Sequence, residues 1–406
     1  MRNAVIVLSL LLGAGSAGAS TSTVDGVVTR VDSRWTAAGD AIVSEVTIRR
    51  DDGTEIVVLE RGGTVDGIGM WQSHSPPVPA VGARVSATFS AARTLAGDTV
   101  QRVETLAPVV PPGDRVEANA FYVNTRTRKS GIPLRWESGC VFISYDETGT
   151  SHLDNEAEIM NGVLQTWQTV TADCNYLELR VDEAVEANGG YDGMNLIVFM
   201  DDRWCRPATD EEPEMCYSGA AAALTTLFFV DDPGNSRDGA IVDADIELNG
   251  VNFAISHEGA SNGSAGCMAD LANTLTHEVG HLLGLDHTCW DGTGTQPVDD
   301  QGAPVPSCSP ESALSSEIKD ATMYNFQTCG ETKKSSPEQD DIDAICDLYP
   351  LASGPGKCKR VDIDGGGGCC TIAPGARRTA ASDAAGGLAL AMLAATILAA
   401  SRRRRR

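Results

Sequence analysis

His277-Glu278-Val279-Gly280-His281-Leu282-Leu283-Gly284-Leu285-Asp286-His287 packs three of the chain's six histidines into one short run. On a helix, residues four apart share a face, so His277 and His281 can aim imidazole nitrogens at one ion. Glu278 stands one residue beyond the first ligand, within reach of a water on the ion. Gly284 suits a chain leaving the helix in a left-handed conformation, a turn that can bring His287 back as third ligand. Three neutral imidazoles leave a fourth position for water, which separates a catalytic zinc site from a closed structural one. Zinc lowers the pKa of such a water toward about 7, and Glu278 is placed to act as general base and pass the proton to a leaving amine. Core histidines with satisfied partners do not cluster in this way.

This HExxHxxGxxH run resembles the zinc site of the metzincin metalloproteases, and the likeness extends to Ala321-Thr322-Met323-Tyr324, where Met323 matches their Met-turn. Within that clan the chain is most similar to the matrixins, bacterial ones in particular. Gly284-Leu285-Asp286 before His287 fits that group, as does Gly239-Ala240-Ile241-Val242-Asp243-Ala244-Asp245-Ile246-Glu247-Leu248-Asn249 upstream. The resemblance spans roughly 130–350. It implies a zinc-dependent endopeptidase with one catalytic Zn2+, a twisted mixed sheet over the active-site helix, and a substrate cleft along an edge strand at about 222–229, where a peptide could add as a further strand. Tyr324 directly follows the methionine and is not assigned as a ligand.

The surrounding pattern predicts an α/β (α+β) catalytic domain over 114–352. Cys140-Val141-Phe142-Ile143-Ser144-Tyr145 reads as a strand, and Ile159, Val163, Trp167 and Val170 mark one face of a helix over 154–170. Strands are expected at 177–181, 195–200, 224–230 and 241–248, and the metal-site helix at 268–283. Asp243, Asp245 and Glu247 alternate and so project to one side of their strand; with oxygen ligands, they are candidates for a structural Ca2+.

Three departures from the family pattern stand out. His74, His152 and His257, the remaining histidines, are scattered, so no second histidine-held zinc is expected. The stretch between His287 and Met323 carries Cys289 and Cys308 and should reshape the wall of the specificity pocket. No cysteine precedes Cys140, so the family's usual latency device, a propeptide cysteine on the zinc, is missing.

Outside that domain, 20–110 is rich in short β patterns, such as Ile42-Val43-Ser44-Glu45-Val46-Thr47-Ile48, the turn Asp51-Asp52-Gly53 and Glu55-Ile56-Val57-Val58-Leu59. A small β-barrel or sandwich fits it, and Pro108, Pro111, Pro112 and Gly113 form a stiff boundary after it. Residues 1–19 carry Arg2, an apolar run and Ala17-Gly18-Ala19, the order of a secretory signal peptide. A Gly/Cys linker occupies 353–383. A final segment, 384–406, joins an Ala/Leu run, barely long enough for a hydrocarbon core of about 30 Å, to Arg402–Arg406. That tail resembles the sorting tails of myxobacterial surface proteins, which implies anchoring at Cys369 or Cys370 and a cell-envelope location.

In an exported chain the twelve cysteines, none in CxxC spacing, read as disulfides. Short loops favour Cys205–Cys216, Cys289–Cys308 and Cys329–Cys346, with Cys140–Cys174 next. A formal net charge of -25 disfavours nucleic-acid partners and anionic membrane faces. The expected partners are protein or peptide substrates outside the cell. The reading from another class is a zinc-holding, catalytically silent surface adhesion module; the presence of Glu278 argues against it.

Overall fold

The computed structural model describes residues 22–75, 77–95, 98–108, 121–208, 214–292, 296–361 and 363. The expected signal peptide 1–19, the Pro111-Pro112-Gly113 boundary, Cys369, Cys370 and the segment 384–406 lie outside them. Among the described residues no helix is long and apolar enough to cross a membrane.

The first half is built from antiparallel strands: β1 (Ser22–Trp35), β2 (Ile42–Arg50), β3 (Glu55–Arg61), β4 (Gly63–Val65), β5 (Ile68–Gln72), β6 (Arg84–Leu95) and β7 (Asp98–Pro108). Five of these form a sheet in the order β3-β2-β1-β6-β7. Alternate residues of β2 and β3 face inward, as a half-buried strand requires, so that Val46, Ile48, Ile56 and Val58 meet Val28, Val78 and Val85 in a small core. β4 and β5 leave this sheet. They form a hairpin that joins the sheet of the second half, so the hydrogen-bonded layers do not divide where 20–110 was expected to end.

That second sheet has seven strands in the order β4-β5-β13-β14-β10-β8-β9. It includes β8 (Cys140–Asp146), β9 (Glu178–Val185), β10 (Asn195–Met200), β13 (Ala223–Val230) and β14 (Ile241–Asn249). β9, β8, β10 and β14 run parallel, and β13 turns antiparallel to β14. Short ribbons pair β11 (Cys205–Arg206) with β12 (Met215–Cys216), and β15 (Ala254–Ser256) with β16 (Met268–Asp270). The whole is a mixed α/β arrangement with four α-helices among the described residues: α1 (Glu156–Thr171), α2 (Leu271–Leu282), α3 (Ser316–Asp320) and α4 (Gln339–Leu348). The expected edge strand at 222–229 is β13, but it is not an edge. β5 pairs along its outer side from Val230↔Ile68 to Thr226↔Gln72.

Both faces of the sheet are covered, which explains why every residue of β13 and β14 is buried. One face carries α1 and α2 over Leu227, Phe229, Ala244 and Ile246. On the other, Phe228, Val230 and Val242 pack against Ile42, Met70 and Trp35 of the first half.

Helix α2 is seated by three buried side chains that donate to its carbonyls. Trp167 Nε1 reaches Thr276 O at 3.1 Å, Trp136 Nε1 reaches Leu282 O at 2.9 Å, and Tyr349 Oη reaches Leu283 O at 2.7 Å.

Among the described residues, five disulfides tie the second half. Cys205–Cys216 and Cys289–Cys308 are as expected from loop length. Cys329–Cys346 and Cys140–Cys174 are not formed. Cys346, on α4, pairs instead with Cys174 at the end of α1; Cys329 pairs with Cys267, and Cys140 with Cys358. Loop length governs closure entropy only weakly, and helix packing and the return of the chain past β8 bring the distant partners together.

Candidate metal centre

Asp270 opens α2, its side chain accepting the Asn273 amide as an N-cap. His277 and His281 then fall on one face. Gly280, on the turn between them, is required by close approach: a Cβ there would lie 2.3 Å from the Met323 sulfur. Met323 is buried beneath the helix, and its neighbour Thr322 presents its carbonyl to His277 Nδ1 at 2.6 Å.

The helix ends in a Schellman turn. Leu285 N–H donates to Gly280 O and Gly284 N–H to His281 O, with Gly284 at φ +102°. Thr125 and Val123 hold the emerging chain through Thr125 N–H to Gly284 O and Asp286 N–H to Val123 O. His287 is thereby carried back until its Nε2 lies 3.1 Å from His281 Nε2. The three histidines expected to share an ion are together.

The structure adds a fourth that sequence reasoning left among the scattered ones. His74 follows β5, and its ring centroid lies 4.7 Å from His287, 5.7 Å from His277 and 6.0 Å from His281. One ring nitrogen from each of the four lies within 4.8 Å of all the others. Four nitrogens at zinc–nitrogen distances of about 2.0–2.1 Å stand roughly 3.3 Å apart in a tetrahedron, so the cluster is of the right size after a small contraction. The chemistry fits as well. His277 and His281 give Nδ1–H to the carbonyls of Thr322 and Leu285, which turns the Nε2 lone pairs inward. His277 Nε2 is buried and makes no hydrogen bond among the described residues. Burial, followed by mutual repulsion, lowers the pKa of His277 and His287 well below the usual value, and burial lowers that of His281 to about 4. All three are held neutral, the form that binds metal.

Glu278 is buried beside this cluster and does not join it. Thr225 Oγ1 donates to its Oε2 at 2.7 Å and Ser73 Oγ at 3.3 Å; His74 Nε2 lies 3.5 Å from Oε1. Burial opposes its ionisation, but the hydrogen bond with His74 outweighs it and holds the pKa at about 2. Tyr324 packs away from the site, among Phe121, Trp290 and Ile318.

The candidate calcium residues separate into two groups. Asp243 Oδ2 accepts the amides of Asp192 and Gly193, and Asp245 accepts those of Gly190 and Leu196. Glu247 is instead committed to Arg206 at 3.1 Å and to the Tyr217 hydroxyl at 3.1 Å. Burial raises Asp243 to about 8 and Asp245 well above the usual carboxylate value, with neighbouring carboxylates adding to the shift. The folded state therefore favours their protonated forms. The stability this gives is complete below the unfolded carboxylate pKa of about 3.9 and is lost as pH rises toward about 8. In chelator, the melting temperature is expected to fall by several degrees between pH 5 and 8. Asp243→Asn, which keeps an acceptor for both amides, should flatten that slope; thermal melts across the range check it, and an unchanged slope contradicts it.

No family model matches the chain, and no curated protein matches it. Among solved structures it has a faint likeness to metalloproteinase-II from Bacteroides fragilis, at 11% identity over 76% of this chain and 87% of that one, with a TM-score of 0.22. A likeness at that level supports no inference about fold or activity.

Proposed function

We propose that this chain is an exported, metzincin-type zinc metalloendopeptidase, matrixin-like in its catalytic half, that cleaves extracellular proteins or peptides at the His277, His281 and His287 centre. The observation that carries the reading is the convergence of three imidazoles, two of them buried and the His287 ring half-buried, on one point with a buried carboxylate beside them that stays outside the cluster. Zinc, when bound, supplies a Lewis acid that polarises a peptide carbonyl and acidifies water. His277 and His281 hold it through Nε2, and the Thr322 and Leu285 carbonyls fix their ring orientation. Glu278 takes a proton from the attacking water and delivers it to the leaving amine. Thr225, which bonds both its carboxylate and its backbone carbonyl, keeps that carboxylate in place.

The silent-module reading gains one observation: with His74 included, the donor set is four nitrogens, the closed pattern of a structural zinc. Glu278 favours the enzyme, because a structural site has no use for an ionised, buried carboxylate that is not a ligand. The test is chelator-sensitive cleavage of casein by the zinc-loaded chain and by its His74→Gly variant. Cleavage by neither, with zinc bound in both, would hand the site to the adhesion reading. Export through 1–19 and retention at the cell envelope through 384–406 complete the proposal. Calcium at Asp243 and Asp245, without Glu247, would take the place of their protons; no rise in melting temperature on adding calcium would count against it.

A further inference from the structure

We propose that residues 68–75 are a built-in inhibitor of this site, in which β5 fills the groove along β13 and His74 occupies the metal position that water or substrate needs. The inference rests on the metal-peptidase reading above and assigns its regulation.

Four independent features support it. β5 is hydrogen-bonded to β13 in antiparallel register over five residue pairs, which is how an extended peptide adds to a sheet edge. The pairing continues past the strand: Ser73 N–H donates to Thr225 O, Thr225 N–H donates to Ser73 Oγ, and Gln72 Nε2 reaches Thr226 Oγ1 at 2.8 Å. The segment therefore lies on the strand that presents Thr225 to Glu278.

Second, the backbone bends at the point where a ligand is needed. His74 has φ +55°, a conformation that non-glycine residues keep only when their surroundings impose it. That bend turns its ring toward His287 and its Nε2 toward Glu278. Third, Ser73 Oγ is a hydrogen-bond donor to the Glu278 carboxylate, so the segment engages both the metal ligands and the base.

Fourth, the hairpin is fitted to its place. Gly69 lies so close to the Phe229 ring that a Cβ would stand 2.6 Å from it. Thr64 Oγ1 donates to the carboxylate of Asp231, the residue after β13, and the Asp231 amide donates back to Gly67 O.

The test uses the full chain loaded with Co2+ as a visible reporter, as wild type, His74→Gly and His74→Cys. Glycine accommodates the positive φ, so the first variant removes the imidazole without straining the bend. Acetohydroxamate, a small chelating probe, is added to each. The expected result is a cobalt spectrum that shifts in His74→Gly at concentrations at least about 10-fold below those needed in wild type, since an open metal position is a stronger binding site than an occupied one. His74→Cys is expected to show a sulfur-to-cobalt charge-transfer band, which only a ligand at that position can give. Casein cleavage should rise by at least about 10-fold in His74→Gly, a loss of competition for the site. Equal response of wild type and His74→Gly to the probe, with no sulfur band in His74→Cys, overturns the inference and leaves the three-histidine centre standing. Cobalt bound by none of the proteins overturns the metal reading itself and the inference with it.

Discussion

Glu278→Gln, made in the His74→Gly chain so that the site is open, is expected to lower casein cleavage by about 10²–10⁴-fold while metal content stays the same. The glutamine keeps the shape and can still accept from Thr225 Oγ1, which lies 2.7 Å from the carboxylate, so the scaffold is unaffected. What is lost is the group that takes a proton from water. Because metal binding uses His277, His281 and His287 and not Glu278, activity and metal content separate in this variant. Cleavage within a few-fold of the parent would remove Glu278 from the chemistry and leave the buried carboxylate without an account.

Trp167→Ala carries the largest expected stability loss, about 3–5 kcal/mol for an emptied aromatic site. Trp167 is fully buried between α1 and α2, where it donates to Thr276 O and lies against Gly280. Removing it leaves a cavity beneath the turn that carries His277 and His281 and deletes one of the three donors that seat α2. Chemical denaturation should show the loss, and metal affinity should fall with it, since the ligands' rigidity comes from that seat. A loss below about 1 kcal/mol would mean that the cavity collapses and that α2 is held by other contacts.

How far the sequence reached depends on the range of the interaction. The turn after α2 is written locally: Gly284 supplies the left-handed residue, and the three ligands lie within one helix and its exit. Helix α1 and strands β8, β10, β13 and β14 fall where periodicity places them, because each buries a face or a whole run. His74 was not legible. It lies far up the chain from the zinc-site run, and only the pairing of β5 with β13 brings it to the cluster. The same fact hid the covered edge of β13, since no local pattern says which chain will pair along a strand. Cys140–Cys358 and Cys174–Cys346 were missed for a similar reason: loop length carries little information once helix packing decides which thiols meet. The carboxylates of β14 separate for a reason that also lies outside the local pattern. Alternation puts Asp243, Asp245 and Glu247 on one side, and Arg206, distant in sequence, forms its ion pair with Glu247.

Metal stoichiometry of the purified full chain and of His281→Ala, compared after equilibration with zinc and removal of the excess, shows whether these histidines hold the ion. His281 has both ring nitrogens placed, Nδ1 on Leu285 O and Nε2 facing His287. The expected result is about one zinc per chain in the parent, as three or four converging imidazoles require, and a near-complete loss in the variant. A parent that binds no zinc, or a variant that retains as much as the parent, would contradict it.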